Sequence, residues 1–152
     1  MEDHEYEFKE IKGRNPKNSV SNVAEYATSF LNSHGGRIFY GITNDRVVKG
    51  FITNPDMIDE IQKAVYSHLR NIDPGVSSNR YGVIFHPVLN ERDEEIEDMF
   101  VLEVSVPATR HKSEIHFNKG KELFIRSRGV KELLQGSEIV SFIHSRLLEE
   151  KE

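Results

Sequence analysis

The chain has 152 residues, of which 37% are hydrophobic and 30% are charged, a composition typical of one globular domain and not of a disordered segment. Cysteine is absent, which excludes disulfide bonds, thiolate zinc sites and cysteine nucleophiles. The formal net charge of −5 argues against a generic nucleic-acid-binding protein. No apolar run has the length of a membrane span or the pattern of a secretory signal, so we expect an intracellular protein, cytoplasmic or nuclear.

The first predicted element is a strand in EYEFKEIK, residues 5–12. Its side chains alternate, with Tyr6 and Phe8 on one face and Glu7 and Lys9 on the other. The charge on the second face is unusually high for a strand. It is compatible with a functional site or with an exposed face that forms cross-strand ion pairs.

A helix and a glycine pair follow the first strand. The segment SNVAEYATSFLN is typical of an amphipathic helix, with Asn22 and Glu25 spaced as a capping box. Gly35 and Gly36 come after this helix and before the buried strand RIFYGI. A dinucleotide-binding fingerprint has the opposite order, so the pair predicts the end of a helix and not a phosphate-binding loop. Gly41 inside the strand indicates a bulge or a close approach of another backbone.

The remaining elements predict an α+β fold. VVKGFI returns as a partner strand for RIFYGI, and Asn54-Pro55 begins a second helix. RYGVIFHPVLN and MFVLEVSVP form a long hairpin, ELFIRS is a short strand, and Ser137 lies at the start of a last helix. We therefore predict a mixed or antiparallel sheet with about three helices, forming a single domain over residues 1–152 or a fragment of a longer chain.

Charge is distributed unevenly along the sequence. Six acids and one arginine occupy Glu91 to Asp98. The segment from Pro107 to Lys131 has two glutamates and seven basic residues: Arg110, Lys112, Lys119, Lys121, Arg126, Arg128 and Lys131. A basic segment of this kind suits a groove that follows a phosphate backbone, and it is equally compatible with a solvated surface. Arg126 and Arg128 share one face if the strand continues through them.

Three sequence segments together resemble the Schlafen family, specifically its Alba-like nucleic-acid-binding domain. They are EDHEYEFK, AEYATSFLNSHGGRIFYGITNDRVVKG and ELFIRSRGVKELL, and they span residues 2 to 134. The pairing of Glu-Phe-Lys with Asn-x-x-Gly-Gly is the most specific part. The resemblance implies one Schlafen-type lobe that handles nucleic acid, and residues 71–118 contribute nothing to it.

The resemblance also implies an active site of three carboxylates. Carried over to this sequence, these are Glu2, Glu7 and Asp45 as catalytic residues and as ligands of Mg²⁺ or Mn²⁺, hard cations that prefer oxygen ligands. The family has acids directly after its Gly-Val/Ile strand, whereas Thr43 and Asn44 intervene here. Lys9 shares the face of Glu7, where it would contact phosphate or stabilise developing charge.

The predicted nucleic-acid contacts extend over both halves of the sequence. They are Lys12, Arg14, Lys17, Arg110, Lys112, Lys119, Lys121, Arg126 and Arg128.

The resemblance supports more than one function. The first hypothesis is a metal-dependent endoribonuclease that processes structured RNA, such as tRNA-like or small-RNA precursor molecules. The second is a subunit of a Schlafen-like nuclease complex that binds RNA or a partner protein without cutting. Both imply a homodimer or heterodimer with another Schlafen-like domain, with RIFYG or the acidic hairpin at the interface. A third hypothesis is a scaffold whose acidic segment binds a basic partner.

Overall fold

A computed structural model describes residues 6–11 and 16–151 of the chain. Within these ranges the strands are β1 (Tyr6–Lys9), β2 (Gly36–Tyr40), β3 (Phe51–Ile52), β4 (Gly82–Leu89), β5 (Glu95–Val106), β6 (Leu123–Ser127) and β7 (Val130–Leu134). The helices are α1 (Pro16–Ser19), α2 (Val23–Leu31), α3 (Pro55–Leu69) and α4 (Ser137–Lys151), and a short 3-10 turn precedes β4. The predicted α+β class is confirmed.

The main sheet is mixed, with one parallel and three antiparallel pairings. β1 runs parallel to β2, and β2 pairs antiparallel with β5. β5 pairs along its other edge with β4, which confirms the predicted long hairpin, and its outer part pairs with β3. β6 and β7 form a separate two-stranded hairpin. The sheet order places β2 inside the sheet, between β1 and β5.

The two faces of this sheet differ in character. Ile38, Tyr40, Leu102 and Val104 are fully buried in the hydrophobic core, together with residues of α2 and α3, and we call their side of the sheet the covered face. The register places a second set of side chains on the opposite side, which we call the open face: Tyr6, Phe8, Arg37, Phe39, Ile84, His86, Val101, Glu103 and Ser105. Ile84 is 47% exposed and the Arg37 side chain is 53% exposed.

The predicted capping box at the start of α2 is wrong. Asn22 makes no side-chain capping bond, and its Oδ1 accepts a hydrogen bond of 2.8 Å from the Tyr40 hydroxyl. Glu25 forms an ion pair with Lys131 of β7. Both side chains therefore connect α2 to strands that lie elsewhere in the sequence, and these tertiary contacts replace the local cap.

Gly35 and Gly41 occupy positions where a side chain would be strained or crowded. Gly35 follows α2 with φ of +76°, and a Cβ on it would lie 2.8 Å from the backbone nitrogen of Ala108. Gly41 has φ of +105°, and its Cβ would lie 3.2 Å from the Cα of Gly50. The first confirms the predicted end of the helix and the second confirms a close approach of two backbone segments.

Two strand predictions differ from the structure. VVKGFI does not form a partner strand for β2. Its strand β3 pairs with Met99 and Phe100 of β5, and an isolated bridge joins Ile42 to Val48 beyond the end of β2. The prediction also missed β7, whose charged residues weaken the strand signal. The Asn54-Pro55 start of α3 is confirmed, since Asn54 Oδ1 accepts a hydrogen bond of 2.9 Å from the Met57 amide.

The last helix carries an exposed apolar stripe. Val140, Leu147 and Leu148 of α4 are each about half exposed or more. Across the described part of the chain, no helix combines the length and the apolar character needed to cross a membrane.

Candidate nucleic-acid interface

Glu7 lies on the covered side of β1 and is held by an arginine from the other end of the chain. Arg126 Nη1 donates a hydrogen bond of 2.7 Å to Glu7 Oε1, and Nη2 donates one of 2.7 Å to the Tyr6 carbonyl. The Arg126 side chain is 3% exposed, and its guanidinium carbon lies 4.7 Å from the centroid of the Phe30 ring. Arg126, predicted as a nucleic-acid contact, is therefore placed in the interior, where it joins β6 to β1.

A buried asparagine positions the strand that carries Arg126. Asn32, at the end of α2, donates hydrogen bonds of 2.9 Å to the carbonyls of His116 and Phe124. Its Oδ1 accepts a bond of 2.8 Å from the His116 amide, and Ser33 Oγ accepts one of 2.9 Å from the Arg126 amide. These bonds fix the segment before β6, and β6 itself, against the helix end. These contacts give Asn32 a structural role at the end of α2, three residues before Gly35.

Lys9 completes the charged cluster beside Glu7. Its Nζ lies 3.6 Å from Glu7 Oε2 and 4.9 Å from the centroid of the Tyr26 ring. Partial burial on its own would lower the pKa of Lys9, but the Tyr26 hydroxyl and the Glu7 carboxylate together raise it above its ordinary value. Lys9 is therefore charged at neutral pH, and Glu7 has two cations as close neighbours.

Asp45 lies on an exposed turn of the loop that follows β2. The Arg46 amide donates to the Thr43 carbonyl at 2.9 Å and closes the turn. The Gly41 amide donates to the Lys9 carbonyl at 2.7 Å, so the loop that carries Asp45 starts directly beside the end of β1. The nearby acid Glu10 pairs with Lys49 of the same loop at 3.6 Å.

The predicted metal ligands do not form a complete set within the described chain. Glu2 falls outside the described residues, and so do Lys12 and Arg14 among the predicted nucleic-acid contacts. Within residues 6–11 and 16–151, no group of three His, Cys, Asp or Glu side chains could hold a metal ion. The Glu7 carboxylate already accepts a hydrogen bond from Arg126. The three-carboxylate metal site of Glu2, Glu7 and Asp45 therefore stays a prediction.

The other predicted basic contacts lie on the surface. Arg110, Lys112, Lys119, Lys121 and Arg128 are all exposed, in the loop before β6 and in the turn after it, and Lys17 is exposed in α1. β6 ends at Ser127 and Arg128 lies in the turn with φ of +53°, so Arg126 and Arg128 do not continue along one strand face. The basic segment is thus divided into the interior Arg126, the half-buried Lys131 that pairs with Glu25, and a group of exposed cations.

Sequence analysis missed a polar cluster on the open face. Glu103, only 9% exposed, lies between His86 and Arg37. His86 Nε2 and Glu103 Oε1 are hydrogen-bonded at 2.8 Å, and Arg37 Nε lies 3.5 Å from Glu103 Oε2. An acid inside the otherwise apolar run MFVLEVSV was the signal in the sequence, because a glutamate in a central strand requires partners on neighbouring strands.

These features define a mixed-sheet α+β domain with a charged cluster at one sheet edge and exposed cations on loops around a hairpin. The Schlafen, AlbA_2 family model matches residues 2–135, and the chain therefore belongs to this family, which is in general related to nucleic acids.

Among solved structures, the fold is similar to that of the DIP2311 protein from Corynebacterium diphtheriae, with a TM-score of 0.60. The two sequences are 16% identical, and the match covers 94% of this chain and 27% of that one. The chain thus spans about a quarter of that protein's length, and at this identity the likeness concerns the fold alone.

Proposed function

We propose that this domain binds structured RNA through the exposed cations around the β6–β7 hairpin. The observation that carries the proposal is the exposure of Lys112, Lys119, Lys121 and Arg128 in a chain of net charge −5 that belongs to a nucleic-acid-related family. Lysine and arginine at such positions release counterions from phosphate on binding and supply affinity without reading sequence.

The position of the negative charge is compatible with this proposal. The acids of residues 91–98 lie at the exposed tip of the β4–β5 hairpin and in the first part of β5. This tip lies at one end of β5, whereas the basic loop of residues 107–122 follows the other end, so part of the net negative charge lies away from the basic loops. The net charge therefore understates the local attraction of the basic loops for a phosphate backbone.

Binding is tested with a labelled tRNA-like hairpin and fluorescence anisotropy over a series of salt concentrations. Each of Lys112→Gln, Lys119→Gln and Lys121→Gln is expected to weaken binding and to reduce the slope of log K against log salt by about 1. Lys63→Gln on α3 is the matched control, because this exposed lysine pairs with Asp59 away from the basic loops. The proposal fails if the chain does not bind the hairpin at low salt, or if the control weakens binding equally.

Cleavage of RNA is a second candidate. It is supported by the loop that carries Asp45, because this loop starts beside the end of β1, the strand that carries Glu7. In this version Glu2, Glu7 and Asp45 act with Mg²⁺ or Mn²⁺, and a second copy or a related Schlafen-like domain completes the site. The described side chains alone do not provide a metal site, so we assign no catalytic step to an ion. Lys9 is the residue of this cluster suited to neutralise a phosphate, since it stays charged and its side chain is one-third exposed.

Incubation of the chain with the hairpin and Mg²⁺ or Mn²⁺ separates the two candidates. Cleavage that disappears in Asp45→Asn and Glu2→Gln, with binding retained, would support the enzyme. Binding without cleavage at any protein concentration would support the RNA-binding subunit. Glu7→Gln is less informative here, because this substitution also removes the partner of Arg126.

A further inference from the structure

We infer that the open face of the sheet binds a single-stranded segment of RNA, with bases stacked on the aromatic side chains of β1 and β2. This inference rests on the proposed RNA-binding function, but it assigns a surface that is separate from the basic loops.

The open face carries three aromatic rings on neighbouring strands. The ring centroids of Phe8 and Phe39 lie 5.8 Å apart, and those of Tyr6 and Phe39 lie 6.0 Å apart. All three side chains are half-buried, and they lie on the side of the sheet opposite the hydrophobic core. The Arg46 guanidinium carbon lies 6.0 Å from the centroid of the Phe8 ring. Half-exposed aromatic side chains beside a cation are the elements that stack bases in proteins that bind single strands.

Two hollows lie next to each other along this face. The first, of about 330 Å³, is lined by Tyr6, His34 and Arg37 and by the backbone at the glycine pair. The second, of about 490 Å³, is lined by Phe39, Val48, His86 and Glu103 among others.

The hollows are linked by contacts between their linings. Arg37 of the first forms the ion pair with Glu103 of the second, and the ring centroids of Tyr6 in the first and Phe39 in the second lie 6.0 Å apart. A chain of nucleotides can therefore follow the face from one hollow to the next.

The polar groups in the second hollow suit the edge of a base. Glu103 at its floor accepts hydrogen bonds, and carboxylates accept them from the amino groups of bases. Arg37 balances the charge of this carboxylate, so the face does not repel a polyanion. Arg37 and Arg46 lie beside the aromatic side chains and favour phosphate.

The test measures binding of the full chain to two labelled probes of equal phosphate number. One is an octanucleotide RNA that cannot pair with itself, and the other is its abasic counterpart. The wild-type chain is expected to bind the first about tenfold more tightly than the second, and Phe39→Leu to remove most of that difference. Phe8→Leu is also expected to reduce the difference in affinity between the two probes. Leucine keeps the apolar volume of the site, so these variants are expected to fold.

Phe142→Leu is the matched control. Phe142 is a half-buried aromatic of α4 whose ring is also contacted by an arginine, Arg146, with 4.8 Å from the guanidinium carbon to the ring centroid. Its loss is expected to leave the affinity for both probes unchanged. Thermal unfolding of all three variants checks that each is folded at the temperature of the assay.

The inference is overturned if Phe39→Leu and Phe8→Leu bind the octanucleotide as the wild-type chain does. If Lys119→Gln still weakens hairpin binding in that case, the proposed function stands and only the assignment of the open face is wrong. If the wild-type chain binds neither the hairpin nor the octanucleotide, both fail. A dimer in sedimentation that Phe39→Leu dissociates, with no effect on RNA, would assign the open face to a second copy and also overturn the inference.

Discussion

The covered and open faces of the main sheet are built from the same strands and differ in what their side chains do. On β2, Ile38 and Tyr40 are fully buried against the helices, whereas Arg37 and Phe39 point to the opposite side. On β5, Leu102 alternates with Glu103 in the same way. Burial of apolar area stabilises the covered face, and polar groups and aromatic rings remain available on the open face. In our proposal, stability and RNA binding are carried by different residues of the same strands, and substitutions can separate them.

The largest expected effect comes from a matched pair of isoleucines, one on each face. Ile38→Ala removes a fully buried side chain from β2 and is expected to lower the free energy of unfolding by about 4 kcal/mol. Ile84→Ala on β4 removes a half-exposed side chain and is expected to cost less than about 1 kcal/mol. Urea denaturation with an unchanged m-value measures both. Equal losses would contradict the division between the faces.

The next effect concerns the charged cluster at the covered edge of β1. Arg126→Gln leaves Glu7, whose side chain is 16% exposed, without its closest cation. We expect a loss of about 2 kcal/mol, below the range for fully buried pairs because water still reaches Glu7.

A double-mutant cycle with Glu7→Gln tests whether this loss belongs to the pair. The coupling energy is expected to be at least about 1 kcal/mol. Lys63→Gln, which breaks an exposed pair on α3, is the control and is expected to leave the unfolding midpoint unchanged. Additive effects of Arg126→Gln and Glu7→Gln would show that the two side chains do not stabilise each other.

The sequence predicted much of the fold, because local patterns carry most of it. The alternation in β1 correctly placed Tyr6 and Phe8 on one face and Glu7 and Lys9 on the other. The sequence did not indicate which face of β1 lies inside. The aromatic face is open, whereas the charged face is turned towards α2. The charged face can lie inside because Arg126, 119 residues away in the sequence, supplies the counter-charge for Glu7.

Apart from β7, the parts that sequence analysis missed depend on pairing between distant segments. β3 pairs with β5 and not with β2, and the cap residue Asn22 binds the Tyr40 hydroxyl instead of its own helix. His86, Arg37 and Glu103 meet only because β4 and β2 lie on either side of β5. Each of these contacts follows from strand order, which periodicity does not determine. Which residues come together in the candidate site was therefore harder to predict than the helices and strands that carry them.

The smallest expected effect is at a polar group in the core. The Tyr81 hydroxyl is buried and has no hydrogen-bond partner among the residues that the structure describes, and burial raises its pKa from 10.0 to about 12. Tyr81→Phe is expected to stabilise the domain by about 1 kcal/mol at neutral pH, because it removes an unsatisfied buried group.

The pH dependence of this variant sharpens the test. The unfolded chain releases the Tyr81 proton at lower pH than the folded one, so the wild-type chain loses stability as the pH rises from about 10 to about 12. Tyr81→Phe lacks this contribution, and its advantage over the wild-type chain is expected to grow over that interval. An advantage that stays constant or shrinks would contradict the assigned environment of Tyr81.

We propose that the covered face folds the domain while the open face binds RNA. Methyl chemical-shift mapping during titration with the octanucleotide tests it most directly. We expect large shifts for the methyl groups of Ile84, Val48 and Val101 and small ones for those of Ile38, Leu102 and Val104. Shifts that are confined to the exposed stripe of α4, or that are equal on the two faces of the sheet, would contradict the claim.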